Sequence, residues 1–378
     1  MKVAILTQPL GHNYGGLLQA YALQTYLKKL GHEVETLDRR KSDRKLYVAK
    51  SYMLNVVRLM LGKIKSIPTN KKQIYVLSEL AEFRDKCLTM SPEMLSDKAL
   101  RGYYKENLFD AFIVGSDQVW RPRYSPCLTN FFLDFLDDIG SSAKRIAYAA
   151  SFGTGEWEYT KELTEKCKSL AKKFDAVSVR EGSAVGLSAD KLGVKAELVV
   201  DPTLLLEPSD YEPLIQECTE NAYSGCVLSY VLDPAPEKLA IAGRVGKLLG
   251  IKFFSIKPEQ NISQVPARAL AKCQFPSVET WLQAFHDAGF VVTDSFHGTV
   301  FSILFNKPFI AVGNTTRGMA RFESLLSQFG LTERLVASID DITPALIQDK
   351  INWREVNRKR VVLATSGREF LKTHLSGS

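Results

Sequence analysis

A histidine, two hydroxyl side chains and a glycine follow an apolar run late in the chain, in the segment Asp294-Ser295-Phe296-His297-Gly298-Thr299. The run before it, residues 288–293, is typical of a buried strand, and the apolar residues 300–305 after it are compatible with a helix. Strand-to-helix turns of this kind are where open α/β sheets bind ligands. The free N–H groups and positive dipole end of a helix start suit a phosphate or a carboxylate. The alternative is a core histidine beside a tight turn.

Two earlier segments also carry groups suited to binding. The glycine pair in His12-Asn13-Tyr14-Gly15-Gly16 would let the backbone approach a ligand closely, although a plain tight turn fits as well. It lacks the spacing of a dinucleotide fingerprint. Asp117, in Gly115-Ser116-Asp117 directly after a strand, could orient a sugar hydroxyl or act as a base. Alternatively, Asp117 caps the following helix or turn.

Three arginines could supply positive charge to an anion site. Arg180 ends a predicted strand and could grip a carboxylate or phosphate with two hydrogen bonds, or simply pair with Glu181. Arg317 and Arg321 are four residues apart and would share one face of a helix. They could face His297, or they could lie on a solvated helix start.

Apolar runs alternate with helical patterns along most of the chain, which predicts an α/β fold with parallel sheets. Residues 2–7 are the first predicted strand, 8–16 a loop and 17–30 a helix. A linker at 207–210 divides a Rossmann-like domain (1–206) from a second one (207–343), and a helical tail follows (344–378). Two such domains resemble the GT-B arrangement, with a ligand cleft between them.

The region of about 39–110 interrupts this pattern as an insertion in the first domain. Its first part, residues 39–73, holds eleven Lys or Arg against a single acid, Asp43. Residues 46–64 are apolar with basic flanks and could form an amphipathic helix on an anionic membrane surface. The alternative is a helix packed on its own domain with a solvated basic side.

Composition narrows the class of protein. The 378 residues are 45% hydrophobic and 24% charged, and no apolar run is long enough to span a membrane. The apolar start at residues 1–7 is too short for a signal peptide, so we expect a cytoplasmic protein. Six scattered cysteines predict free thiols, and no metal-binding, Walker A or GxSxG spacing is present. A net charge of +7 suits an anionic ligand without implying nucleic acid.

As an ordered set, the motifs from residue 3 to about 335 resemble those of the polysaccharide pyruvyl transferase family. The shared segments are Asn13-Tyr14-Gly15-Gly16-Leu17-Leu18-Gln19, Gly115-Ser116-Asp117-Gln118-Val119-Trp120, Ser178-Val179-Arg180-Glu181, Asp201-Pro202-Thr203, and Asp294 to Gly298 with Lys307-Pro308. The resemblance implies a GT-B-like transferase of bacterial exopolysaccharide biosynthesis. The reaction would transfer a pyruvyl group from phosphoenolpyruvate, a co-substrate, to a sugar, with no cofactor or metal.

The resemblance also implies roles for the predicted site residues. His297 would bind the donor phosphate and serve as acid, Arg180 would pair with the donor, and Asp117 would act on the acceptor side. Ser295, Gly298, Thr299, Arg317 and Arg321 would complete the donor site, and Asn13, Tyr14, Gly15, Gly16 and Ser116 the acceptor side. Ser295 stands where several family members have an arginine. Either Arg317 or Arg321 supplies that charge, or this chain uses another donor.

Two other functions fit the same motifs. One is a GT-B glycosyltransferase that uses a nucleotide-sugar, and the other is a non-catalytic sugar-binding component of polysaccharide assembly. For an enzyme acting on a cell-surface polysaccharide or its lipid-linked precursor, we expect a place in the cytoplasm. Contact of residues 46–64 with an anionic membrane would put it at the inner membrane face. The sequence leaves the acceptor sugar and the oligomeric state open.

Overall fold

The computed structural model describes residues 1–42, 45–216, 224–233, 235–313 and 318–376, without the side chains of 45–51, 138, 139 and 267. Its strands are β1 (Lys2–Leu6), β2 (Glu33–Thr36), β3 (Ala111–Val114), β4 (Lys144–Ala150), β5 (Ala176–Val179), β6 (Glu197–Leu198), β7 (Val227–Tyr230), β8 (Phe253–Ser255), β9 (Phe290–Thr293), β10 (Phe309–Val312) and β11 (Leu335–Val336).

Helices alternate with these strands. They are α1 (Tyr14–Lys29), α2 (Lys45–Met60), α3 (Asn70–Val76), α4 (Ser78–Cys87), α5 (Asp97–Glu106), α6 (Lys161–Ala171), α7 (Gly182–Leu187), α8 (Glu212–Gln216), α9 (Pro236–Leu249), α10 (Val278–Asp287), α11 (Phe296–Leu304), α12 (Met319–Phe329), α13 (Pro344–Gln348) and α14 (Trp353–Leu375). Short 3-10 turns connect several of them.

The strands form two parallel sheets, which confirms the predicted α/β class. The first has the order β2-β1-β3-β4-β5-β6 and the second β11-β10-β9-β7-β8. Strands such as β3 and β9 are buried along their whole length, because helices cover both faces of each sheet. In the first sheet the strand order reverses between β1 and β3, and in the second between β7 and β9. Ligands bind beyond the carboxyl ends of strands at such reversals.

Two segments tie the domains together outside the linker. The insertion contacts the second domain: the Lys65 N–H donates to the Ser263 carbonyl (2.8 Å), and the Phe275 N–H donates to the Val76 carbonyl (2.9 Å). Helix α14 returns to the first domain, where the Phe370 ring packs 6.1 Å from that of Tyr148. The C-terminal tail is therefore part of the packed structure.

Two local features differ from the sequence predictions, and a third prediction falls outside the described residues. Helix α1 begins at Tyr14 instead of residue 17, because the Asn13 side chain accepts the Gly15 N–H and caps the helix there. Helix α12 begins at Met319, and Arg317 falls outside the described residues. Arg39, counted with the basic insertion, is buried and donates to the Asn130 side chain at 3.0 Å.

Candidate active site

A cavity of about 350 Å³ lies where the strand-order reversals of the two sheets face each other. The first domain contributes the loops after β1 and β3, including Gln8, His12, Asn13, Asp117, Gln118 and Tyr124. The second domain contributes the loops after β7 and β9 and the start of α12, through Leu232, Asp294, Ser295, Phe296, His297 and Arg321. The predicted interdomain cleft is thus present, with residues from both domains on its walls.

The two domains touch directly at Gly15 and His297. A Cβ added to Gly15 would lie 2.7 Å from Cε1 of His297 and closer still to Nδ1 and Cγ. Only a glycine at this point of α1 leaves room for the imidazole. The central glycine of the sequence motif Tyr14-Gly15-Gly16 is therefore required by the space that the His297 ring occupies.

His297 is buried at the start of α11 and faces a carboxylate from the first domain. Its Nε2 is 3.5 Å from Oδ2 of Asp201 and makes no hydrogen bond within the described residues. Burial alone would raise the pKa of Asp201, but His297 and Arg180 together hold that pKa well below its usual range. Asp201 is therefore ionised at neutral pH and places a negative charge beside the imidazole.

Arg180 connects this carboxylate to the cavity wall. Its Nη1 donates to Asp201 Oδ2 at 2.6 Å, and its Nη2 to Asp117 Oδ1 at 3.3 Å. Burial would raise the pKa of Asp117, but Arg180, His297 and Arg321 hold it below its usual value. Asp117 lines the cavity, whereas Arg180 lies behind it with both terminal nitrogens on carboxylates.

Two guanidinium groups contact the ring of Phe296. The Cζ atom of Arg180 is 4.3 Å from the ring centroid and that of Arg321 is 5.6 Å from it. Such contacts hold a cation over an aromatic face. Burial and the nearby Arg180 lower the pKa of Arg321 to about 10, so Arg321 stays charged at neutral pH. Arg321 thus brings a positive charge to the cavity close to Ser295.

The remaining residues of the late motif shape the turn. The Ser295 hydroxyl caps α11 by accepting the Gly298 N–H at 3.3 Å, and the Thr299 hydroxyl donates to the Ser295 carbonyl at 3.1 Å. A Cβ at Gly298 would overlap the Thr293 hydroxyl. The buried carboxylate of Asp294 accepts the Lys238 ammonium at 2.6 Å. Ser295 faces the cavity, while Gly298 and Thr299 lie in the turn behind it.

Of the first-domain residues predicted for the cleft, some line the cavity and others point away from it or lie behind its wall. Asn13 lines the cavity. The Tyr14 ring turns away from it and stacks on Trp281 of the second domain, with centroids 5.5 Å apart. Gly16 lies in the first turn of α1, and the buried Ser116 hydroxyl donates to the Ala149 carbonyl at 3.1 Å.

A family model described as polysaccharide pyruvyl transferase matches residues 13–316, most of the chain. The chain belongs to the polysaccharide pyruvyl transferase family. It is therefore a member of a transferase family that acts in polysaccharide biosynthesis. A comparison with curated proteins finds no match.

Solved structures similar to this polysaccharide pyruvyl transferase family member support a GT-B-like fold. Arabidopsis thaliana UGT89C1 with UDP-L-rhamnose matches with a TM-score of 0.53 and 11% identity, over 98% of each chain. A UDP-glucosyltransferase from Polygonum tinctorium matches with a TM-score of 0.52 and 11% identity, over 100% of this chain and 99% of that one. At this identity the likeness shows the fold alone.

Several residues of the site were not predicted as such. Asp201 belongs to a motif that carries the family resemblance, but its contact with Arg180 depends on how the first domain folds and its contact with His297 on how the domains meet. Gln118 and Tyr124 follow the Asp117 motif and line the cavity. Their position after β3, on the same sheet edge as the loop after β1, is the sequence feature that could have indicated them. Within the described residues, no group of three His, Cys, Asp or Glu could hold a metal ion.

Proposed function

We propose that this protein transfers a pyruvyl group from phosphoenolpyruvate to a sugar of a cell-surface polysaccharide or its lipid-linked precursor, forming a ketal and releasing phosphate. The observation that carries the proposal is the buried His297 imidazole, held between Asp201 and the Gly15 backbone at the wall of a cavity that Arg321 also lines. The family match supports the same reaction class.

The donor carries a phosphate and a carboxylate, so its site needs positive charge. Arg321 provides a guanidinium at the cavity wall, and the N-terminus of α11 provides the positive end of a helix dipole at Ser295 and His297. We assign the anionic groups of the donor to these two features. Arg180 pairs with Asp117 and Asp201 from behind the cavity wall.

His297 is the proposed general acid. The Gly15 backbone lies against Nδ1, whereas Nε2 makes no hydrogen bond within the described residues, so Nε2 is the nitrogen that would give its proton to the methylene carbon of the donor. That carbon becomes a methyl group, and the neighbouring carbon becomes an oxocarbenium-like centre.

Asp117 is the proposed acceptor-side group. Its carboxylate lines the cavity and is ionised at neutral pH, so it can orient the sugar hydroxyl groups that attack the activated carbon. Two hydroxyl oxygens bond to this carbon and phosphate leaves. One hydroxyl proton replaces the proton given by His297, and the other leaves with the phosphate.

Calorimetric titration and product analysis test the proposal. We expect phosphoenolpyruvate to bind, and we expect phosphate release that depends on a glycan acceptor prepared from a cell envelope. Mass spectrometry of the glycan should then show a pyruvate ketal. Release of free nucleotide from a nucleotide-sugar would instead establish the glycosyltransferase alternative. Glycan binding without turnover of either donor would establish the sugar-binding alternative.

A further inference from the structure

The helix α2 presents an apolar stripe to the solvent. Met53, Val57, Met60 and the following Leu61 are spaced along one helix face and expose 69%, 51%, 81% and 64% of their surface. Soluble proteins rarely expose a contiguous apolar patch of this kind without a binding partner. One interpretation of the sequence predicts a solvated basic side for this helix. In the structure, its solvated side is largely apolar.

The opposite face of α2 packs towards the protein. Asn55 and Val56 are half-buried, and Leu59, at 38%, is less exposed than the residues of the stripe. At 100° per residue Asn55 and Leu59 lie together, away from the stripe, and Val56 lies between them and Met60. The helix is thus attached by one face, and its free face carries the apolar side chains.

Basic side chains border the apolar stripe. Arg58, Lys63 and Lys65 are exposed beside or just after the helix, and the sequence holds no acid between Asp43 and Glu79. An apolar stripe with cationic flanks and no acidic group complements a surface that is apolar inside and anionic outside. We propose that the free face of α2 docks on an anionic membrane surface.

The position of α2 relative to the cavity gives this docking a consequence. Just after the helix, the Lys65 N–H is bonded to the Ser263 carbonyl. Six residues earlier in the second domain, Lys257 donates to the carbonyl of Leu232, which lines the cavity, at 3.0 Å. Six residues of chain span at most about 20 Å. The membrane-docking segment is therefore attached to the second domain within about 20 Å of chain from a residue that contacts the cavity wall.

Vesicle sedimentation of the full chain, without substrate, tests this docking independently of the proposed reaction. We expect the protein to bind vesicles of phosphatidylcholine and phosphatidylglycerol in low salt. Binding should weaken in high salt and on phosphatidylcholine alone. The variant M53S/V57S/M60S should bind at least about tenfold more weakly, since each side chain loses apolar burial.

A charge variant and a matched control sharpen the result. The variant R58E/K63E/K65E should also lose at least about tenfold in binding to the anionic vesicles. The control V361S/V362S removes two exposed valines from α14, 48% and 59% exposed, and should bind like the unaltered protein. The proposal is wrong if the unaltered protein does not bind anionic vesicles, or if M53S/V57S/M60S binds as well. It is also wrong if M53S/V57S/M60S keeps its vesicle binding and only lowers the mass of the protein measured by sedimentation velocity. The stripe would then join two copies of this chain.

Discussion

Gly15 of the first domain and His297 of the second are in direct contact, with no space for a side chain between the helix backbone and the imidazole. The contact holds the ring on the side of Nδ1, while Asp201 holds it on the side of Nε2. The orientation of the proposed acid is therefore set by two residues that belong to the other domain.

The substitution Gly15→Ala tests this contact. The added methyl group would displace the imidazole, so we expect kcat to fall about 10²-fold or more, as for a lost or misplaced general acid. Overpacking should also cost about 1–3 kcal/mol in the free energy of unfolding. Gly16→Ala is the control, because its Cβ would lie 3.7 Å from its nearest neighbours, the side-chain atoms of Asn13. Equal activity of the two variants would contradict the assigned role of Gly15.

Arg321→Met tests the donor site. Removing the guanidinium should weaken phosphoenolpyruvate binding about 10–100-fold, because a charged hydrogen bond contributes about 1.5–3 kcal/mol. The unaltered protein should lose affinity as the pH rises through about 10, where Arg321 loses its proton. Titration calorimetry measures both effects, with Arg358→Met on the exposed part of α14 as control. Unchanged donor affinity in Arg321→Met would remove Arg321 from the site.

Asp201→Asn tests the buried charge cluster. The change leaves Arg180 without its closest partner, so we expect a loss of about 3–5 kcal/mol in the free energy of unfolding at pH 7. The folded-state pKa of Asp201 is depressed, so its contribution is complete above the unfolded pKa of about 3.9 and declines as pH falls below that value.

Denaturant melts between neutral and acidic pH measure this dependence. The stability of Asp201→Asn should fall less steeply in acid than that of the unaltered protein. Asp340→Asn, at an exposed residue, should keep the original slope. If the stability of Asp201→Asn still falls steeply in acid, the pH dependence arises from groups other than Asp201.

Ser295→Ala separates the capping of α11 from binding. Losing the cap should cost about 1 kcal/mol in stability. Ser277→Ala removes the equivalent cap of α10, where the hydroxyl accepts the Thr280 N–H at 3.1 Å, away from the cavity. We expect similar unfolding temperatures for the two variants but a higher KM for the donor only in Ser295→Ala. The same KM in both would limit Ser295 to a cap.

The strand ends were the most predictable part of the molecule. Apolar runs followed by glycine or polar residues, as at Asp117 and His297, mark parallel strands and the edge where ligands bind. The family motifs then placed these loops in one cleft. Both features are local in sequence, and this explains why they could be read from it.

Contacts between residues far apart in the sequence were less predictable. Tyr14 was expected in the cleft loop, but the Asn13 cap starts the helix early and directs the ring into the aromatic cluster around Trp281. Asp201 has partners 21 and 96 residues away, and no local pattern indicates such pairings. Arg39 was counted among the insertion's basic residues, yet it is buried against Asn130.

The return of α14 to the first domain bears on how this protein can be divided. On this helix Gly367 packs against the Tyr148 hydroxyl, and Arg368 donates to the Leu205 carbonyl at 2.9 Å through its Nε. A first domain cut after residue 206 would lose this cover and expose the buried end of β4 that carries Tyr148. Its complete structural unit is discontinuous in sequence, and the second domain lies as an inserted segment between its two parts.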